Sequence, residues 1–80
     1  MKDVLSNLDV SIAWYVIPRL EAFAREVESY PADLDSIEEW REELTRMLAA
    51  WRRVADLAAG DPLTQAGLTL FVRRLGHLWL

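Results

Sequence analysis

The chain has 80 residues and a formal net charge of −4, with four Trp, two Tyr and two Phe and without cysteine. This length accommodates one domain and not two, and at this size the core must be used well, because small domains bury a smaller share of their surface. The lack of cysteine excludes a disulfide framework and a thiolate zinc site. The acidic balance argues against nucleic acid as a partner, because phosphate neutralisation needs an excess of Lys and Arg. No stretch approaches the ~20 apolar residues needed to cross a bilayer, and residues 1–7 lack the apolar run of a signal peptide. The expectation is a soluble, cytoplasmic protein without a membrane partner.

Charge is distributed unevenly. Residues 1–45 hold eleven acidic and four basic residues, a balance of −7, whereas residues 46–80 hold five Arg against Asp56 and Asp61, a balance of +3. Two breaks, Tyr30-Pro31-Ala32-Asp33-Leu34-Asp35 and Ala59-Gly60-Asp61-Pro62, divide the chain into three segments whose apolar residues follow a helical period. The fold class is therefore all-α, a three-helix up-down-up bundle with helices at about 9–29, 36–59 and 62–79.

In the first segment Ala13, Val16, Leu20, Phe23 and Val27 form an apolar seam. Pro18 interrupts it: its ring crowds the carbonyl of Trp14 and it donates no hydrogen bond, so a kink or a break into two pieces is expected there. Trp14 lies roughly 100° around the helix from this seam and Tyr15 roughly 160°. Either both are exposed interface anchors, together with Arg19, or residues Val4, Leu5 and Leu8 fold back over them.

The second segment opens with Ser36-Ile37-Glu38-Glu39, a capping box in which Ser36 and Glu39 satisfy each other's backbone amides. Ile37, Trp40, Leu44, Met47, Trp51, Val54 and Ala58 then recur at alternating spacings of 3 and 4. Gly60 is placed to end the helix in the left-handed conformation. Glu38, Glu39, Glu42 and Glu43 cluster in the first two turns, where acids gain from the helix dipole, and Glu42 can pair with Arg46. The cluster is a candidate contact face for a partner. Carboxylates alone on a solvated helix start make a poor metal site, and no metal is expected.

The third segment starts at Asp61 as N-cap with Pro62 in the first helical position. Its apolar stripe reads Leu68, Phe71, Val72, Leu75, Leu78 and Trp79, leaving Leu70 off the stripe and His77 opposite it. The apolar residues Leu70, Trp79 and Leu80 either complete the chain's own core or are candidates for self-association into a homo-oligomer. With helices two and three antiparallel, Arg46 comes level with Arg73 and Arg74, and these three make a candidate anion-binding patch, with Arg52-Arg53 further along.

Catalysis calls for a convergent constellation, and the chain offers a single histidine, no cysteine, no Gly-rich phosphate loop and no Glu-x-x-His pair. The expectation is a protein that is not an enzyme and takes no cofactor.

The runs Leu8-Asp9-Val10, Trp14-Tyr15-Val16-Ile17-Pro18-Arg19-Leu20-Glu21-Ala22-Phe23, Tyr30-Pro31, Glu38-Glu39-Trp40 and Leu44-Thr45-Arg46-Met47-Leu48 resemble a group of small, uncharacterised bacteriophage proteins with an "IPRL…F…YP…EEW…L..M" pattern. The resemblance covers roughly residues 8–51 and brings over no functional residues. It implies a phage or prophage origin and action in the cytoplasm of the bacterial host. Small acidic helical proteins of that kind act by binding, so the leading reading is a protein-binding module, a phage accessory protein that binds or inhibits a host or defence protein. The alternatives are an oligomeric binder that sequesters an anionic nucleotide, and a purely structural phage oligomer.

Overall fold

A computed structural model describes residues 8–57 and 60–78. Three α-helices follow one another: α1 (Leu8–Glu26), α2 (Ile37–Ala55) and α3 (Pro62–Arg73), with a short 3-10 turn (Leu75–His77) after α3. They form the expected all-α, three-helix bundle, and no helix among the described residues is long and apolar enough to cross a membrane.

The centre of the fold is α2. Its seam supplies Trp40, Leu44, Met47, Leu48 and Val54 to the core, where α1 adds Ala13 and Leu20 from one side. Burying this seam is the main drive for docking, at about 1.5–3 kcal/mol for each fully buried large aliphatic side chain. Two edge-on aromatic pairs lock the neighbours in place: Phe23 of α1 against Trp40 at 6.4 Å, and Trp51 against Phe71 of α3 at 5.3 Å. Both α1 and α3 pack on α2, but among the described residues no Cα of α1 lies within 8 Å of a Cα of α3. A channel is therefore left open between the two outer helices.

Local signals explain the helix ends. Ser36 caps α2 by accepting from the amide of Glu39, and the Glu39 carboxylate accepts from the amide of Asp35, one residue further back than a standard capping box. α1 runs unbroken through Pro18, so the two-piece alternative is not what the chain adopts. It ends at Glu26, three residues earlier than expected, and Val27 is buried just beyond it. α2 ends at Ala55 and not near 59, and its left-handed residue is Leu57, with φ 59°, not Gly60.

α3 differs most from expectation. Val72 and Leu75 are exposed, while Thr64, Gly67 and Arg74 are buried and Leu70, Phe71 and Leu78 pack on the core. The helix is turned by roughly one residue relative to its apolar stripe. Two contacts account for the rotation. Gly67 lets the α3 backbone meet Ala50 and Arg46 of α2 directly, and Arg74 finds two carboxylates beneath it. Leu70 is accordingly a core contact and not the off-stripe residue expected. Trp79 and Leu80 lie outside the described residues, as do Val4, Leu5 and Ala58.

Candidate functional site

Three surface features collect the polar and aromatic residues that the sequence singles out. The first is the channel between α1 and α3, a groove of about 230 Å³. Val16, Leu20 and Phe23 of α1 face Phe71, Leu75 and Leu78 across it, and Tyr15 and Arg19 form its rim. Tyr15 is 61% exposed and Leu75 58% exposed, so large apolar surface meets solvent on both banks. The Arg19 guanidinium stacks over the Tyr15 ring at 3.6 Å and donates to the Tyr15 carbonyl at 2.9 Å, which holds both side chains in one orientation. No carboxylate of the described chain pairs with Arg19. Leu8 and Ile12, also exposed, continue the Tyr15 side of α1 at spacings of 4 and 3.

Trp14 is 69% exposed but does not line this groove; one residue before Tyr15, it points about 100° away around α1. Trp14 and Tyr15 are thus both on the surface, as the interface reading requires, yet on different faces. The groove residues Phe71 and Leu75 were legible only as core stripe, because helix rotation cannot be read from periodicity alone.

The second feature is the acidic start of α2, which the structure splits. Glu38 and Glu42 are exposed and border a shallow hollow with Arg41, Thr45 and Arg46, although Glu42 and Arg46 form no ion pair. Glu39 is committed to its cap, and Glu43 is half-buried under Arg74. Only two of the four glutamates are therefore available to a partner. Among the described residues no three His, Cys, Asp or Glu side chains gather where a metal ion could sit.

Arg74 leaves the candidate anion site altogether. It is only 8% exposed, donates from Nη1 and Nη2 to the two carboxylate oxygens of Asp33 at 2.8 and 2.9 Å, and donates from Nε and Nη2 to Glu43 at 2.8 and 3.2 Å. Its ring-facing side lies 5.9 Å from the Trp40 ring. The bond from Arg74 holds the Asp33 carboxyl below its ordinary value, and the two carboxylates in turn raise the guanidinium further above its own. The cluster ties the end of α3 to the loop before α2 and to α2 itself. A guanidinium saturated in this way has no capacity for an external anion.

The third feature is a cleft of about 800 Å³ between α2 and α3. Arg46 and Arg73 stand on its sides without a carboxylate partner among the described residues, so two of the three expected arginines line one cleft. Arg53 replaces Arg74 as the third; it sits seven residues from Arg46, two turns along the same face of α2, a spacing that the sequence does display. Arg53 donates through Nε to Thr64 Oγ1 at 3.0 Å and to Asp61 at 3.3 Å, and the Thr64 hydroxyl donates to Asp61. That hydroxyl, first, and Arg53 hold the Asp61 carboxyl below its ordinary value. Asp61 occupies the N-cap position of α3, but its carboxylate serves Thr64 and Arg53 and not a backbone amide.

Compared with known protein families, curated proteins and solved structures, the chain matches none of them.

Proposed function

We propose that the chain is a non-enzymatic protein-binding module of phage or prophage origin, acting in the bacterial cytoplasm, which docks a helix of a host or defence protein in the α1–α3 groove. The observation that supports this reading is the groove itself: an apolar floor, exposed Tyr15 and Leu75 on opposite banks, and Arg19 fixed at the rim with no acidic partner among the described residues. Rigid Tyr and Arg side chains bordering an apolar trough are the usual makings of an interface hot spot. A groove between two helices admits an amphipathic helix whose apolar residues recur at i, i+3, i+4 and i+7. The acidic residue of such a helix would answer Arg19.

Residues without a place in the groove act differently. Trp14, Glu38 and Glu42 are exposed on other faces and widen the footprint only if the partner is large. The test is capture of a partner from host lysate by the wild-type chain and by Tyr15→Ala, Leu75→Ala and Trp14→Ala variants. A partner retained by Trp14→Ala and lost by the other two supports the reading. Recovery that ignores Tyr15 and Leu75, or recovery of nothing, overturns it.

A further inference from the structure

The α2–α3 cleft shares no residue with the α1–α3 groove, and its lining follows a different chemistry. Its floor is made by Ala49, Ala50, Ala66 and Gly67, none with a side chain larger than a methyl group, so the two helices leave a flat apolar bed between them. Leu63 and Leu70 border that bed. Arg46 and Arg73, from opposite helices, stand at one end, and Arg53, Asp61 and Thr64 form a polar cluster toward the other. Of the arginines on α2 and at the end of α3, Arg52, Arg53 and Arg74 are paired with carboxylates. Arg41, Arg46 and Arg73 have no carboxylate partner among the described residues, and of these Arg46 and Arg73 line this cleft while Arg41 lies outside it.

We infer that the α2–α3 cleft is a binding site for a small organic phosphate with a flat body, of which a mononucleoside phosphate is the simplest example. Two guanidinium groups from facing helices suit a phosphate, whose oxygens accept paired donors in the same plane. The planar body lies on the alanine and glycine bed between Leu63 and Leu70. At the far end the Asp61 carboxylate can accept from an amino group at the edge of the ring. A volume of about 800 Å³ falls within the range of cavities that take molecules of this size. Two acids bear on the site: Glu42 borders Arg46 and weakens the local positive potential, whereas the Asp61 charge is already shared with Arg53 and Thr64. The phosphate anchor is therefore the Arg46–Arg73 end.

The experiment is a titration of the isotope-labelled full chain with adenosine monophosphate, adenosine and inorganic phosphate, followed through backbone amide shifts. Saturable shifts centred on Ala49, Ala66 and Gly67, with the monophosphate binding at least tenfold tighter than either fragment, are expected. Arg46→Gln and Arg73→Gln, both exposed positions where the fold is not at stake, should each weaken that binding tenfold or more. Tyr15→Ala, in the groove, should leave it unchanged, which separates this site from the protein-docking reading. No saturable shift with any of the three compounds, shifts centred outside the cleft, or binding indifferent to Arg46 and Arg73 would each overturn the inference. Inorganic phosphate binding as tightly as the monophosphate would overturn the role given to the alanine bed.

Discussion

Gly67 of α3 lies so close to Ala50 of α2 that a Cβ at position 67 would stand 2.6 Å from the Ala50 Cβ and 2.8 Å from the Arg46 carbonyl oxygen. Neither neighbour is the loose end of a long side chain, so both helices would have to separate. Gly67→Ala gains up to ~1 kcal/mol of helix propensity but overpacks a contact between backbones, which typically costs about 1–3 kcal/mol. The net expectation is a less stable protein, seen as a lower denaturant midpoint. Gly76→Ala, which meets nothing within 4 Å, is the control and should leave the midpoint close to wild type.

Replacing Arg74 by Leu should destabilise the fold strongly even though it adds apolar surface at a buried position. Glu43, only 16% exposed in its side chain, would be left without a partner, whereas Asp33 would simply return to water. Removing one member of a buried pair costs about 3–5 kcal/mol; the exposure of Asp33 brings the expectation for Arg74→Leu down to roughly 2–3 kcal/mol. If Glu43→Gln, combined with Arg74→Leu, recovers much of the loss in urea denaturation, the stranded carboxylate is the cause. A double variant no more stable than Arg74→Leu alone would assign the loss to packing against Trp40 instead.

Acid should weaken the protein in a definite window. Asp33 and Asp61 both have carboxyl groups held below the ordinary 3.8, by Arg74 and by the Thr64 hydroxyl respectively. The unfolded chain therefore binds more protons than the folded one around and below that value, and stability rises with pH there. The contribution is fully present above the unfolded value and disappears as pH falls through the lower, folded values. Thermal melts from pH 6 to pH 2 should show the melting temperature dropping below about pH 4. Asp33→Asn should flatten part of that drop, and an unchanged slope would remove Asp33 from the account.

Much of this architecture is written in the local sequence. The alternating seam of α2 and its Ser36 cap are local signals that act where expected, and α3 does start at Asp61-Pro62, although the Asp61 side chain caps no backbone amide there. Arg74 was not legible as a structural residue because its partners, Asp33 and Glu43, are 41 and 31 positions away. Periodicity registered only that Leu75 and Val72 are apolar and could not weigh them against a buried ion pair and the close approach at Gly67. The groove followed from that rotation, so Tyr15 and Arg19 were visible as surface candidates while their opposite bank was not. The arginine cleft was partly legible: Arg46 and Arg73 do line one cleft between α2 and α3, but the third arginine on it is Arg53 and not Arg74.

Leu57 closes α2 with φ 59°, a left-handed conformation that a side chain disfavours by about 1–2 kcal/mol. At 72% exposed it buries little in return. Leu57→Gly should relieve that strain, offset in part by the greater freedom of glycine in the unfolded chain, for a net stabilisation of about 0.5–1 kcal/mol. Leu57→Val, with a branched Cβ at the same backbone angle, should move the denaturation midpoint in the opposite direction. Equal midpoints for the glycine and valine variants would mean that the residue does not hold this conformation in solution.

Among the described residues nothing accepts from the buried indole nitrogen of Trp51. A buried donor left without an acceptor costs about 1–3 kcal/mol. Trp51→Phe removes the donor and keeps an aromatic ring against Phe71, so the lost apolar area and the relieved donor act in opposite directions. The expected net change is under ~1 kcal/mol, where a large-to-small change in the core usually costs more. Trp40 makes the contrast: it is among the largest fully buried side chains, packs against Phe23 and lies under Arg74, and it is not among the orphaned donors. Trp40→Phe opens a void with nothing to offset it, so its loss in urea denaturation should exceed that of Trp51→Phe. Equal losses for the two variants would mean that the Trp51 nitrogen finds an acceptor in solution.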